Sequence, residues 1–495
     1  MDEGTSTLSY AVHGRVVAKY LGQLIAMLAI LTLAPLGASV IFNEYELSLR
    51  YLVVILVLSF FTIPLLRLPV PTQVQTNEAL TVVALAFILA PLFMSFPLMG
   101  EGLSFLDALF EAVSAITTTG LSTLATVEDK SQTFLFARAW MQWYGGLGIV
   151  VLSVALLMGQ HMAARRLVEP IGGAEGLVTT ARAHARRMLV VYGVLTGWGL
   201  WVLWAILGDF SSALSYGLSA VSTGGFSPSD ESLLGLDTEI ARWAVILLAL
   251  GGAIPLPLYY LIYHSGWRQA LTNRDLRAFD MELRALSLMG LVGGGILAWR
   301  LDAWGAASWA ESFSQGLLLG FSALTTAGFS NLEVAALDPA SKLWLMGMMS
   351  VGGGIGSTAG GIKILRLLIF LRLVQLLIER TALPPQAVHK PRLAGKVLQE
   401  EEIQQILLLI VLFGLVVMLS WLVFVLLGEP PLDALFEVIS ATGTVGLSTG
   451  ITGPELHPLL KLLLCIDMLL GRLEIIALLV LCYPRTWIGR RAQFR

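Results

Sequence analysis

Four short stretches of this chain repeat one pattern, Ser-Ala-x-x-Thr-x-Gly-(Leu/Phe)-Ser. The copies run Ser114 to Ser122, Ser219 to Ser227, Ser322 to Ser330 and Ser440 to Ser448. Their glycines, Gly120, Gly225, Gly328 and Gly446, sit 105, 103 and 118 residues apart. Self-similarity at a nearly fixed period marks a repeat architecture. The chemistry available is coordination of a dehydrated monovalent cation by stacked rings of backbone carbonyls, one from each loop. The candidate ligands are Thr117, Thr118, Thr119 and Gly120; Ser222, Thr223, Gly224 and Gly225; Thr325, Thr326, Ala327 and Gly328; and Gly443, Thr444, Val445 and Gly446. Inward-facing carbonyls need backbone angles that glycine adopts without steric cost. One copy alone would read as small polar residues where membrane helices pack closely. Four copies in equivalent positions favour a pore.

Each copy follows an apolar stretch of about 12 residues, near 105–116, 211–221, 309–324 and 432–442, too short to cross a bilayer. Irregular backbone at membrane depth survives only when protein or a water-filled cavity surrounds it. The short stretches therefore read as re-entrant pore helices. Ser104-x-x-Asp107 and Ser308-x-x-Glu311 look like capping boxes, and Pro430 and Pro431 suit a first helical turn. The C-terminal end of each, equivalent to roughly −0.5 charge, faces the loop and favours a cation.

The rest of the chain fits this setting. Hydrophobic residues make up 56% and charged residues 13% of 495, against roughly 25% charged in soluble domains. Ten candidate spans have cores near 20–42, 50–66, 79–98, 136–159, 188–207, 239–262, 285–300, 342–374 (interrupted), 404–427 and 460–482, the seventh short and weak. Most Lys and Arg residues fall on one side, in the N-terminus, 161–187, 264–284, 363–402 and the C-terminal tail, with Arg67. That side is read as cytoplasmic. The N-terminal apolar stretch exceeds a signal-peptide core. A net charge of −3 gives no footprint for nucleic acid. Cys465 and Cys482 read as small buried hydrophobes. The six histidines form no metal motif, and no nucleophile–base arrangement suggests an enzyme. Gly354-Ile-Gly356-Ser-Thr-Ala359 fits a nucleotide fingerprint only by coincidence, because no strand–helix unit surrounds it.

Two features lie where a gate belongs. Residues 352–361 (Gly352, Gly353, Gly354, Ile355, Gly356, Ser357, Thr358, Ala359, Gly360 and Gly361) interrupt the eighth span with six glycines. They form either a tight helix crossing or, as favoured here, a movable loop below the filter. Arg472 lies deep in the last span, where a charge costs about 2.5–3.5 kcal/mol on insertion scales. It either pairs with Asp467 or Glu474 or stands as a positive barrier facing the pore. Asp107, Glu111, Asp433 and Glu437 either concentrate cations at the outer mouth or, as favoured here, are charges placed at helix N-termini.

The four loops, together with Trp143-Tyr-Gly-Gly-Leu-Gly-Ile-Val150, Gly352 to Lys363 and Leu470-Gly-Arg-Leu-Glu474, give the chain a resemblance to the Trk/Ktr/HKT superfamily of cation transporters. Within it the chain is most similar to the TrkH branch of bacterial potassium-uptake subunits. The resemblance implies an all-α integral membrane fold of four parallel pseudo-repeats, each M1, pore helix, filter loop and M2, around a central pore. An N-terminal helix pair at 1–70 would precede repeats at 71–165, 166–270, 271–390 and 391–495. Glycine at all four filter positions implies potassium as the transported ion, with no cofactor. The resemblance further implies a homodimer in the bacterial inner membrane, resting on a cytoplasmic nucleotide-binding subunit like TrkA, with both termini cytoplasmic. The alternative is a potassium transporter coupled to protons or sodium.

Overall fold

A computed structural model describes residues 11–69, 74–157, 177–265, 277–303, 308–382, 384, 391–394 and 396–488. Arg165, Arg166, Arg490 and Arg491, and much of the expected cytoplasmic segments, lie outside the described residues. The described chain is helical apart from two pairs of two-residue strands. An N-terminal pair, Gly14–Leu31 continued by Leu33–Ile41 and then Tyr45–Leu66, precedes four M1–pore helix–M2 units. The M1 helices are Thr76–Leu98, Leu177–Leu207, Arg277–Ala303 and Glu400–Leu426. The pore helices are Phe105–Ile116, Phe210–Val221, Trp309–Leu324 and Pro431–Thr442, within one residue of the expected stretches. Among the described residues six helices are long and apolar enough to cross a membrane, and a bent pair adds a seventh. The other expected spans correspond to M2 segments, two of them broken.

Local signals start the pore helices where the sequence places them. The hydroxyl oxygen of Ser104 accepts from the Asp107 N–H at 3.2 Å, and that of Ser308 from Glu311 N–H at 3.4 Å. Pro431 opens the fourth. The second uses Asp209, whose carboxylate accepts from Ser211 and Ser212 N–H at 3.4 and 2.7 Å. These bonds satisfy first-turn donors that have no partner within the helix.

Three expectations need correction. The seventh span is a 27-residue helix, Arg277–Ala303, rather than a short one. The sixth is broken into Glu239–Ala253 and Leu256–Ser265, bent by 85°. Pro255 and Pro257 flank the bend, and the exposed backbone there is satisfied by the glycine-rich loop: Leu256 N–H donates to Gly356 O and Gly354 N–H to Ala253 O. The tenth breaks between Arg472 and Ile476, where Glu474 and Ile475 take φ of 53° and 64°. The interruption of the eighth is as expected. Its halves, Pro339–Ser350 and Ile364–Arg380, are joined at a parallel bridge, Val351 to Ile362 and Gly352 to Lys363.

The units close into a ring through one recurring tie. The start of each pore helix bonds the start of the preceding unit's M2. Lys461 Nζ meets Asp107 at 2.6 Å, Ser211 meets Gln132 at 3.0 Å, Ser314 meets Glu239 at 2.9 Å and Lys342 meets Asp433 at 2.8 Å. Asp107 and Asp433 are thus first-turn charges with lysine partners.

Glu111 and Glu437 are neither mouth charges nor first-turn charges. Both are fully buried. Glu437 accepts from Ser448 Oγ, Thr449 N–H and Oγ1, and Thr452 Oγ1 at 2.6–3.1 Å. Glu111 accepts from Ser122 Oγ at 2.6 Å and Thr123 N–H at 3.0 Å, and pairs electrostatically with Arg138 at 3.0 Å. Each carboxylate staples the chain leaving a filter loop to its own pore helix. Glu437→Leu should strand at least three buried donors at roughly 1 kcal/mol each and destabilise the protein by about 3 kcal/mol. The midpoint of thermal unfolding in detergent, followed by tryptophan fluorescence, should drop clearly. An unchanged midpoint contradicts the staple.

A candidate ion filter and its gate

The four loops adopt one backbone conformation. Thr118, Thr223, Thr326 and Thr444 all have φ between 50° and 54°. Two residues on, Gly120, Gly225, Gly328 and Gly446 have φ between 69° and 97°. Left-handed conformation is costly for a β-branched residue, so four threonines held there mark a constrained site. Alternation of right- and left-handed residues turns successive carbonyls to one side of the strand and the N–H groups to the other.

The Ser-Ala pair of the motif receives those N–H groups. Thr118, Thr223, Thr326 and Thr444 N–H donate to the carbonyls of Ala115, Ala220, Ala323 and Ala441 at 2.9–3.1 Å. Thr119, Gly224, Ala327 and Val445 N–H donate to those of Ser114, Ser219, Ser322 and Ser440 at 2.8–3.0 Å. The end of each pore helix thus bonds its loop from behind. The opposite carbonyls of Thr119, Ala327 and Val445 accept nothing among the described residues.

Contact between loops shows the ring to be closed. A methyl group on Gly120 would run into Gly224 O and lie 3.4 Å from Gly225 C. One on Gly225 would run into Ala327 O, 3.3 Å from Gly328 Cα; one on Gly328 into Val445 O, 3.1 Å from Gly446 Cα. One on Gly446 would run into Thr119 O and lie 3.1 Å from Gly120 Cα, completing the circle. No side chain fits between neighbouring loops, so the carbonyls of Thr119, Gly224, Ala327 and Val445 lie at one level. The M2 helices press equally close: substitution at Gly145, Gly252 or Gly471 would strike the terminal carbonyl of the unit's own pore helix, on Ile116, Val221 or Thr442.

The glycine-rich loop lies directly against three filter threonines. Gly360 N–H donates to Thr326 Oγ1 at 2.7 Å, and Thr358 Oγ1 lies 3.4 Å from Thr223 Oγ1. A methyl group on Gly360 would collide with Thr444 Oγ1 and Gly443 O. The loop is a compact plug rather than a helix crossing. Ser357 Oγ bonds Gly354 O at 2.7 Å, Thr358 Oγ1 bonds Val221 O and Gly252 O at 3.1 and 3.0 Å, and Ile355 N–H bonds Glu282 Oε1 at 3.2 Å. Lys363 Nζ reaches back to Ala359 O. Gly352, Gly353 and Gly361 form its neck.

Arg472, 2% exposed, pairs with neither acid weighed from sequence. Asp467 accepts from Ser420 Oγ at 2.7 Å, and Glu474 pairs with Arg366 at 2.6 Å. Arg472 instead donates to Thr358 O at 2.8 Å and Gly145 O at 3.4 Å, and its Nε has no partner. Among the described residues only carbonyls hold this buried guanidinium, which lies beside the glycine-rich loop. Cys465 is buried as expected, whereas Cys482 is exposed.

Sequence reasoning missed Arg138 and Gln142, polar residues one turn apart in the first M2. Arg138 stacks 3.8 Å from the Phe226 ring centroid, and Gln142 contacts Gly224 and Phe226. Their signal was the presence of long polar side chains in an apolar span, but the Phe226 ring under Arg138 and both partners of Gln142 lie in another repeat, while Glu111, the ion-pair partner of Arg138, lies in the same one.

The tight fit of Gly360 gives a direct test. Gly360→Ala should push the plug away from Thr444. In a Cys482→Ser background, a cysteine placed at Ser357 should then react faster with a small thiol reagent. Unchanged labelling would mean the loop tolerates the methyl group in place.

Comparison with known proteins places the chain in a family. The family described as TrkH, cation transport protein, matches residues 52–161 and 302–486, more than half of the chain. The Trk system potassium uptake protein TrkI of Halomonas elongata is 30% identical, across 95% of this chain and 96% of its own. TrkG of Escherichia coli is 28% identical across 96% and 99%. An uncharacterized cation transporter of Methanocaldococcus jannaschii is 29% identical across 93% and 94%. The crystal structure of the potassium transporter TrkH from Vibrio parahaemolyticus superposes with a TM-score of 0.84, covering 96% of this chain and 99% of that one at 24% identity. The fold is therefore the all-α membrane fold of four pseudo-repeats, and the chain belongs to the TrkH family of cation transport proteins.

Proposed function

We propose that this chain carries potassium into the cell through the four-loop ring, under control of the plug and Arg472. The observation that carries this reading is the closed circle in which each filter glycine packs on the next repeat's carbonyl. Such a ring replaces an ion's hydration shell with fixed carbonyl oxygens. The relatives named as potassium uptake proteins support potassium as the ion. An ion would shed water at the outer mouth, pass the carbonyls of 117–120, 222–225, 325–328 and 443–446, and meet Gly360, Thr358 and Arg472 below. It is carried unchanged, so the role is transport rather than catalysis. In this reading the protein lies in the bacterial inner membrane with both termini cytoplasmic. It works as a homodimer on a cytoplasmic nucleotide-binding subunit resembling TrkA, which would act on the plug through segments 161–187, 264–284 and 375–402.

Uptake of radioactive rubidium into proteoliposomes containing this chain tests the reading. Competition should be strong from potassium and weak from sodium. Equal competition by sodium would overturn potassium selectivity. Gly120→Ser, whose side chain would press on the Gly224 carbonyl, should raise sodium permeation relative to potassium. Unchanged reversal potentials in mixed salts contradict that.

Arg472→Ala tests the barrier. A unit charge about 4 Å from an ion's path is worth about 4 kcal/mol at an effective dielectric of 20. Loss of part of that barrier should raise uptake without the regulatory subunit by about tenfold or more. Folded Arg472→Ala protein with unchanged uptake would remove Arg472 from the gate.

A further inference from the structure

The four filter loops are not held alike. In the first and fourth, the hold is local. Ser114 Oγ accepts from Gly120 N–H at 3.0 Å, and Ser440 Oγ accepts from Gly446 N–H at 3.0 Å. The buried glutamates Glu111 and Glu437 then gather the residues that follow. The second and third loops carry the same serines, but Ser219 Oγ and Ser322 Oγ have no hydrogen-bond partner among the described residues. At the place of the glutamate stand Tyr216 and Leu319. Tyr216 meets Ser227 Oγ through its hydroxyl at 2.9 Å, and the third loop leans on the second, with Ser330 N–H donating to Ser232 Oγ at 3.1 Å.

What holds the second loop at the level of the ring comes from another repeat. Gln142, on the M2 helix of the first, is fully buried. Its Oε1 accepts from Phe226 N–H at 3.1 Å, and its Nε2 donates to the Gly224 carbonyl. This amide orientation matches a donor to an acceptor at both ends. The same carbonyl packs against Gly120 in the ring. Position 224 is also matched to Gln142. A Cβ there would lie 2.5 Å from Gln142 Oε1 and 2.8 Å from Nε2. The other loops carry Thr119, Ala327 and Val445 at this place, and no glutamine is bonded behind them.

A carbonyl oxygen has two lone pairs. At Gly224 one is engaged by an N–H donor, whereas the ring carbonyls of Thr119, Ala327 and Val445 accept no hydrogen bond among the described residues. The Gly224 oxygen is therefore fixed in direction and presents a weaker field to an ion. Ion preference in such a ring depends on the spacing and field strength of its oxygens. We infer that Gln142 is a specificity-setting positioning residue. By clamping Gly224 and Phe226 from behind, it sets the place and strength of one of the four ring carbonyls and so tunes which monovalent cation the ring prefers. The inference rests on the reading of the ring as an ion filter.

The test compares wild type, Gln142→Met and Gln142→Glu in proteoliposomes, reading rubidium uptake against competing potassium and sodium. Methionine keeps the length and removes both hydrogen bonds. Glutamate, assayed at alkaline pH so that it is ionised, keeps the acceptor for Phe226 N–H but loses the donor to Gly224 O. Both variants should lose at least about threefold of the potassium-over-sodium preference, the scale of one hydrogen bond. A residue that served packing alone would change the amount of folded protein and leave that ratio alone. An unchanged ratio in folded variants overturns the proposal. If Gln142→Met does not fold, the near-isosteric Gln142→Glu decides the question by the same ratio. A wild-type chain without preference between the two ions would instead overturn the filter reading, and the proposal would fall with it.

Discussion

A bilayer interior supplies no water to satisfy a bare peptide group. Carbonyls can face an ion there only if every other polar group nearby is already bonded. The filter loops meet that demand by a division of labour within one residue pair. The serine and alanine ending each pore helix accept the N–H groups of the loop, four times over. The carbonyls of Thr119, Ala327 and Val445 on the opposite side accept nothing among the described residues, which in the proposed reading leaves them to an ion. The αL threonines and positive-φ glycines follow from this arrangement, because no other backbone turns the two sets of groups apart. So does the close contact between loops, which permits no side chain at the glycine positions.

The surrounding architecture serves that ring. Pore helices are too short to be stable alone and are held at both ends. Their starts are tied to the preceding unit by Lys461–Asp107, Ser211–Gln132, Ser314–Glu239 and Lys342–Asp433. The ends of the first, second and fourth rest on the M2 glycines Gly145, Gly252 and Gly471. The plug uses the same logic in reverse. Its backbone is irregular at membrane depth, and it finds partners in Thr326, Gly252, Ala253, Glu282 and Arg472. Many of these contacts are single hydrogen bonds of modest net strength, in keeping with the proposed role of a movable gate.

Much of this was legible in the sequence, because the filter and its pore helices are local. Cap, helix, Ser-Ala pair and glycine fall within about 20 consecutive residues, and repetition raised the signal above that of any one copy. The interruption of the eighth span was legible for a similar reason, since six glycines in ten residues do not hold a regular helix. What escaped was set by partners far along the chain. The bend at Pro255 exists because the plug fills the space beneath it, and the break near Glu474 accompanies a pairing with Arg366 across repeats. Glu111 and Glu437 look like first-turn charges in sequence, yet each folds inward to serve a segment 11 to 15 residues downstream. Gln142 touches residues more than 80 positions away, a distance over which no periodicity or motif speaks.

In the proposed reading an ion loses its water at the ring of Thr119, Gly224, Ala327 and Val445 carbonyls. Crystals of the protein grown in rubidium and measured at the rubidium absorption edge test that claim directly. An anomalous peak is expected on the pore axis, at or next to the level of those four oxygens, weakened when sodium replaces part of the rubidium only at large excess. Ordered density for the four loops with no anomalous peak on that axis would contradict it.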